Sequence, residues 1–89
     1  MPNAQANSDD LHAFADRLAH CAETVGGEVD STAAAFSALG DTWQDEKRAQ
    51  FEEIFSDLCG CIQRFRDACD DQVPYLHTLA SRLEDYLNS

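Results

Sequence analysis

The segment FSALGDTWQD at residues 36–45 decides the fold, because it ends one helix and begins another. Gly40 stands where the end of a helix favours a residue that tolerates positive φ. Asp41 and Thr42 are both favoured N-cap residues, and each has a polar side chain three positions later that completes a capping arrangement. Asp45 adds negative charge at the positive end of the second helix dipole. The segment therefore predicts a tight turn between two antiparallel helices.

Mostly apolar residues repeat at alternating steps of four and three on both sides of this turn. The upstream series is Leu11, Ala15, Leu18, Ala22, Val25, Val29, Thr32, Phe36 and Leu39. The downstream series is Phe51, Phe55, Leu58, Ile62, Phe65, Cys69, Gln72, Leu76, Leu79, Leu83 and Tyr86. Such spacing keeps one stripe of each helix facing a partner, and we call the contact between the two stripes the seam. The predicted fold class is all-α, an antiparallel helix-turn-helix hairpin.

Polar residues precede the upstream series and set its start. Residues 1–8 have nothing to bury, so they predict a disordered tail, and residues 9–89 are expected to form a single helical-hairpin domain. Ser8 is the predicted N-cap of the first helix.

Two helix-breaking features lie inside the predicted helices. The apolar series keeps its phase across Gly26 and Gly27, so this pair predicts a weak point off the seam and not a turn. The second helix is expected from about Trp43 or Gln44 to about Leu87. Pro74 removes one backbone hydrogen bond from it, so the helix is kinked or split near this residue, and both alternatives stay open.

The length of the chain limits the core that it can build. A chain of 89 residues is one domain near the lower size limit for independent folding, and two helices bury only one stripe each. We therefore expect the hairpin to pair with a second hairpin in a four-helix bundle.

The charge of the chain excludes some partners. Seventeen acidic and six basic side chains give a formal net charge of -11, which repels nucleic-acid phosphate and anionic lipid. The acidity is interpreted first as a solubility device and second as a surface that docks on a basic partner. The sequence contains no predicted membrane span and no signal peptide, so a cytoplasmic location is expected.

Four cysteines offer a different kind of function. In a chain without a signal peptide they predict reduced thiols, and Cys59 and Cys61 point about 200° apart on a helix, too far to share one metal ion. Cys69 lies on the seam, where a cysteine packs as a small hydrophobe. Cys21 and Cys69 fall at similar heights of the hairpin and are a candidate thiol pair. A cysteine-based metal-binding or redox protein is the alternative to a binding protein.

Three histidines are the remaining candidates for catalysis. His12, His20 and His77 are each expected at the surface or its boundary. A Cys69 nucleophile with His20 as base is compatible with the hairpin, but two packed helices offer no cleft and no oxyanion donors. The sequence therefore predicts no enzyme activity, no metal and no cofactor.

Trp43 has a structural and a functional interpretation. In the first it packs on Phe36, Leu39 and Lys47 and fixes the angle between the helices. In the second it anchors a partner, because Trp is enriched in interface hot spots. The predicted contact surface consists of Trp43, Phe36, Leu39, Phe51, Phe55, Leu58, Ile62 and Phe65.

These residues carry a resemblance to a known family. The pattern Phe36-x-x-Leu39-x-x-x-Trp43-x-Asp45, followed by Phe51 and Phe55, resembles the turn of the WXG-type (ESX-like) small proteins, and the similarity extends from about Leu11 to Leu87. Asp45 replaces the glycine of the family motif. The resemblance implies a homodimer or heterodimer of helical hairpins, or docking on a larger protein. It also implies an adaptor, chaperone or structural role in bacterial type VII secretion or toxin systems.

Members of that family that are exported carry a Tyr-x-x-x-Asp/Glu signal in themselves or in a partner. In this sequence Tyr75 is followed four residues later by Leu79, and Tyr86 is the last tyrosine. Because the motif is absent, the sequence predicts the hairpin more firmly than it predicts export.

Overall fold

The computed structural model describes residues 7–88, which form two antiparallel helices, α1 (Ser8–Leu39) and α2 (Glu46–Asn88). A 3₁₀ turn, Gly40–Thr42, and three non-helical residues join them, and the hairpin measures 65 × 20 × 19 Å. There is no strand between residues 7 and 88, which confirms the predicted all-α hairpin. Most of the predicted tail, and Ser89, lie outside the described residues. Neither helix has an apolar stretch long enough to cross a bilayer.

Helix α1 begins one residue earlier than predicted. Asn7, and not Ser8, is the N-cap, because its Oδ1 accepts hydrogen bonds from the backbone N–H of Asp9 at 2.8 Å and of Asp10 at 3.4 Å. Ser8 is the first helical residue and so belongs to α1 and not to the tail. Asn and Ser are nearly equal as N-caps, so only the geometry distinguishes them.

The turn ends α1 as predicted but starts α2 later. Gly40 has a φ of 51°, the left-handed region that glycine adopts without strain. The chain then continues through the 3₁₀ turn, so Asp41 and Thr42 are not the N-caps of α2. Asp45 takes that position, where its Oδ1 accepts from the backbone N–H of Arg48 at 3.1 Å.

Pro74 lies inside α2, which is continuous from Glu46 to Asn88. The alternative of a split second helix is therefore wrong. Proline has no backbone N–H and so removes one hydrogen bond from the helix. Cys69 and Val73 before it and Leu76 after it nevertheless all face α1. Packing on both sides of the proline maintains the helix across it.

At three positions the observed seam contains a neighbour of the residue that the series predicted. Ala33, Cys59 and Val73 are less exposed than their predicted neighbours Thr32, Leu58 and Gln72. An α-helix turns every 3.6 residues, so it drifts by about 20° per heptad relative to a strict 4-3 series. The drift moves the seam by one residue at intervals, and Tyr86 at the end of the series is exposed.

Gly26 was expected off the seam, and this expectation is wrong. Gly26 is buried, and a Cβ added to it would lie 2.6 Å from Cζ of Arg66. The guanidinium of Arg66 therefore lies across the bare backbone of α1 at this point. Gly27 has nothing within 4 Å of such an added Cβ.

The core of this hairpin is small. Among the described hydrophobic residues only Ala15, Cys69 and Ala80 are buried, and no large side chain is fully buried. One hairpin therefore leaves its large apolar side chains partly or wholly in water.

Candidate interaction site

Aromatic side chains from both helices meet beside the turn. Phe36 of α1 is the centre, with its ring centroid 6.0 Å from Trp43, 5.4 Å from Phe51 and 6.4 Å from Phe55. Trp43 and Phe51 are 5.8 Å apart, and Phe51 stacks on Phe55 at 5.5 Å. Such pairs each contribute about 0.5–1.5 kcal/mol beyond their buried area. We call these four residues the aromatic cluster.

Arg48 ties this cluster to the backbone of the turn. Its Cζ lies 4.8 Å from the centroid of Phe36, in a cation–π contact. Its Nη1 donates to the carbonyl oxygen of Trp43 at 2.8 Å and to that of Gly40. The basic residue that packs at the turn is therefore Arg48 and not the predicted Lys47, because one helical turn from Asp45 brings position 48 back over the 3₁₀ turn.

Asp45 links the tryptophan to the start of α2. Its Oδ1 accepts from Nε1 of Trp43 at 2.9 Å as well as from the backbone N–H of Arg48. A single carboxylate thus orients the indole ring and satisfies one of the free amides of the helix. Glycine at this position could do neither, so Asp45 gives the turn a contact that the glycine version lacks.

Exposed apolar side chains extend away from the aromatic cluster along one side of the seam. At 100° per residue, Phe51, Ile54 and Leu58 of α2 lie on the same side of the hairpin as Phe14 and Leu39 of α1. All five are exposed, and Ile54 most of all, at 66 %. We call this side the apolar face.

The opposite side of the seam is acidic. By the same helical geometry it carries carboxylates from both helices, among them Glu23, Asp30, Glu52, Asp67 and Asp70. We call this side the acidic face. A groove of about 550 Å³ runs along it, between Ala19 and Ala22 of α1 and Val73 and Pro74 of α2.

The residues of the predicted contact surface lie in two environments, half-buried along the seam or exposed beside it. Phe36, Phe55, Ile62 and Phe65 are half-buried along the seam, whereas Leu39, Phe51 and Leu58 are exposed, and Trp43 is intermediate. Sequence reasoning missed Ile54 and Phe14 because they fall outside the 4-3 series. A second, offset apolar series on the outer side of the seam is the signal that identifies them.

All four cysteines are free thiols in the structure. Burial raises the pKa of the Cys69 thiol, and the neighbouring Cys21 and Asp70 raise it further. Cys21 and Cys69, the candidate thiol pair, are not joined in the structure. No three metal-ligating side chains in residues 7–88 come together in a way that could hold an ion, which argues against the cysteine-based metal alternative.

The three histidines make different contacts. His20 is exposed and contacts Thr24 on its own helix at 3.5 Å. His12 and His77, which sequence reasoning treated as separate surface residues, meet across the hairpin with ring centroids 4.9 Å apart. His12 and His77 are 65 residues apart in sequence, and their contact depends on the register between the two helices, so no local pattern could predict it.

The fold and the site together define a small all-α hairpin whose turn holds a tryptophan between an aspartate cap and an aromatic cluster. A family model described as "Proteins of 100 residues with WXG" matches residues 3–86, so the chain belongs to this WXG100 family. This confirms the resemblance drawn from the Trp43 turn. Comparison with curated proteins and with solved structures gives no match.

Proposed function

We propose that this protein is a non-enzymatic binding subunit that pairs with a second helical hairpin, either its own copy or a similar chain. The two hairpins join through the apolar face and form a four-helix bundle. The exposure of Phe51, Ile54 and Leu58 beside a core of three small buried residues is the observation that carries this proposal.

The length of the hairpin supports a partner of similar shape. Leu39, Phe51, Ile54 and Leu58 of the apolar face lie toward the turn end, whereas Phe14 lies toward the open end. A partner that covers the whole face must therefore be long and must lie along the hairpin. A second hairpin has the length and shape to cover it.

The distribution of charge supports pairing despite the net charge of -11. The apolar face is bordered at its edges by Arg17 and Lys47 as well as by Asp10 and Glu28, whereas more of the acidic residues lie on the opposite face. A partner on the apolar face therefore does not bring the two acidic faces together. Both stay in water, where their repulsion is screened by salt.

The aromatic cluster supplies the rigid end of this surface. Asp45 and Arg48 fix Trp43 and the start of α2, so that Phe51 is held in place before a partner binds. Such preorganisation lowers the entropy cost of association.

Light scattering coupled to gel filtration tests the pairing with matched variants. Ile54→Glu places a charge in the apolar face, whereas Ser56→Glu places the same charge on the acidic side of α2. We expect the unmodified chain and Ser56→Glu to have twice the chain mass of 9.9 kDa, or that of a complex with a similar hairpin, and Ile54→Glu to be monomeric. Equal masses for all three proteins would contradict the proposal.

Family membership supports a role beside a type VII-like secretion or toxin system. We place the unpaired chain in the cytoplasm, as a partner or carrier that enters such a system only after pairing. Immunodetection in cells and in medium tests this, with the chain expected in medium only when it can pair. Release of Ile54→Glu at the level of the unmodified chain would contradict this role.

A further inference from the structure

The groove on the acidic face lies open between the two helices, midway along the hairpin. Ala19 and Ala22 of α1 are small, so they leave space beside Val73 and Pro74 of α2. The volume of about 550 Å³ is in the range of clefts that bind ligands, about 300–1,000 Å³. Ala19 and Pro74 are exposed, so a partner can enter the groove from solvent.

Carboxylates border this groove on both helices. Glu23 of α1 and Asp70 of α2 line it directly. Asp16 and Asp30 lie seven residues before and after Glu23, so three carboxylates follow one side of α1 at steps of about 10.5 Å. On α2, Asp67 lies one turn from Asp70. The groove therefore has one acidic border on each helix, and the border on α1 has a regular spacing.

No basic side chain within residues 7–88 compensates the charge at the centre of these borders. The ion pairs of this part of the chain both involve a histidine near the open end, so Glu23, Asp30 and Asp70 have no basic partner. Arg66 is the one basic residue that lines the groove, and its guanidinium lies over Gly26 at the end nearer the turn. The middle of the groove is therefore negatively charged.

The backbone before Pro74 adds a hydrogen-bond acceptor at the same place. In a continuous helix the N–H of residue 74 donates to the carbonyl oxygen of residue 70, and proline has no N–H. The carbonyl oxygen of Asp70 therefore lacks the donor that other helical carbonyls have, and both residues line the groove. A donor from another molecule would meet a free acceptor here as well as a carboxylate.

These features determine which occupant fits. A second copy of this chain would bring like charge to the acidic face. The described residues contain no three ligands that could hold a metal ion. The distance from Asp16 to Asp30 is about 21 Å along the helix, so the occupant is elongated. An amphipathic helix with Lys or Arg every seven residues has the matching length, charge and spacing.

We propose that the acidic face is a further docking surface, which holds a basic amphipathic helix of another protein in the groove between α1 and α2. Lys or Arg side chains of that helix pair with Glu23 and Asp70, and small side chains of the helix lie against Ala19 and Ala22. Such charge pairs give a complex its orientation and speed of association. This surface lies opposite the apolar face, so it goes beyond the pairing proposed above and does not depend on it.

Fluorescence anisotropy with two isomeric peptides tests the spacing. The probe is a labelled alanine- and glutamine-based helix of about 20 residues with lysines seven residues apart, titrated with the full chain. Its isomer has lysines five residues apart, which distributes them around the helix. We expect the seven-residue peptide to bind at least about tenfold more tightly, the effect of two exposed ion pairs. Equal affinity of the two peptides would overturn the proposal.

Two double variants of equal net charge separate the groove from general acidity. Glu23→Gln/Asp70→Asn removes two carboxylates that line the groove, whereas Glu53→Gln/Asp71→Asn removes two that point away from α1 by helical geometry. We expect the first variant to lose about tenfold in affinity for the seven-residue peptide and the second to keep its affinity. Equal losses in both would show non-specific attraction and overturn the proposal.

Filling the groove tests its shape without changing charge. Ala19→Phe fills it, and Ala13→Phe places the same ring on the outer side of α1; both positions are exposed, so both variants should fold, as circular dichroism checks. We expect only Ala19→Phe to lose the peptide. Unchanged binding by Ala19→Phe, or displacement of the peptide by an equal concentration of spermine, would overturn the proposal.

The pairing variant distinguishes this proposal from the proposed function. Ile54→Glu should bind the seven-residue peptide as tightly as the unmodified chain, because Ile54 lies on the apolar face. A loss of peptide binding in Ile54→Glu would overturn the assignment of the helix to the acidic face. The masses from light scattering report on the pairing alone.

Discussion

The two ends of this hairpin are held together by different chemistry. At the turn end, Phe36, Trp43 and their neighbours fill the space between the helices with large rings, and Arg48 and Asp45 fix the backbone. At the open end, Ala15 and Ala80 allow the helices to approach closely, and each is 0 % exposed. Removal of ring atoms should therefore destabilise the turn end, whereas addition of atoms at the two buried alanines should destabilise the open end.

This contrast also explains what the sequence could predict. The turn end is encoded by ten consecutive residues, so Gly40, Trp43 and the acidic cap region are recognisable without a structure. The choice of Asp45 over Asp41 and Thr42 was missed because all three are good N-caps, and only the intervening 3₁₀ turn selects among them. The open end depends on the register between distant segments, so the His12–His77 contact was not predictable.

The prediction of the candidate site was limited in the same way, because it depended on contacts between the helices. The 4-3 series identified both helices and their antiparallel order, because helical periodicity is a local property. It did not separate Cys59, which faces α1, from Leu58, which is exposed, because the drift of a 3.6-residue helix decides which of two neighbours is inside.

Truncating the centre of the aromatic cluster should have the largest effect. Phe36→Ala removes contacts with Trp43, Phe51, Phe55 and Arg48 together, and for a half-buried ring this should lower the free energy of unfolding by about 2–3 kcal/mol. Urea denaturation followed by circular dichroism measures the change. Phe14→Ala is the matched control on the exposed apolar face and should change the stability of the monomer by less than about 0.5 kcal/mol.

Enlarging a residue at the open end should have the next largest effect. Ala80→Leu forces a longer side chain into a fully buried position and should cost about 1–3 kcal/mol, whereas Ala68→Leu at an exposed position of α2 should cost almost nothing. Thermal unfolding compares the two variants. Equal stability of both would remove the distinction between the two ends.

Removing the cap at the turn should have a smaller effect. Asp45→Ala loses the acceptor for both Trp43 and the backbone of Arg48 and should lower stability by about 1–2 kcal/mol. Asp45→Asn keeps an acceptor oxygen and should retain most of that stability. The Trp43 fluorescence maximum should shift in Asp45→Ala only, and an unchanged spectrum in both variants would contradict the Trp43–Asp45 contact.

Alanine substitutions at the two glycines of α1 should have the smallest effects, and the two variants can be compared directly. Gly27→Ala meets open space and should stabilise the hairpin by up to about 1 kcal/mol through helix propensity. Gly26→Ala gains the same propensity but displaces the flexible end of Arg66, so it should stabilise less. Chemical denaturation of both variants measures the difference, and equal gains would contradict the packing of Arg66 on Gly26.

An isotope-filtered NOE experiment tests the central claim most directly, namely that the apolar face is the surface that meets a second hairpin. ¹³C-labelled chain is mixed with unlabelled chain, or with an unlabelled hairpin that co-purifies with it. We predict intermolecular NOEs from the methyl groups of Ile54 and Leu58 and none from Ala19 on the acidic face. Intermolecular NOEs from Ala19 with silent Ile54 and Leu58, or none from any methyl group, would contradict the account.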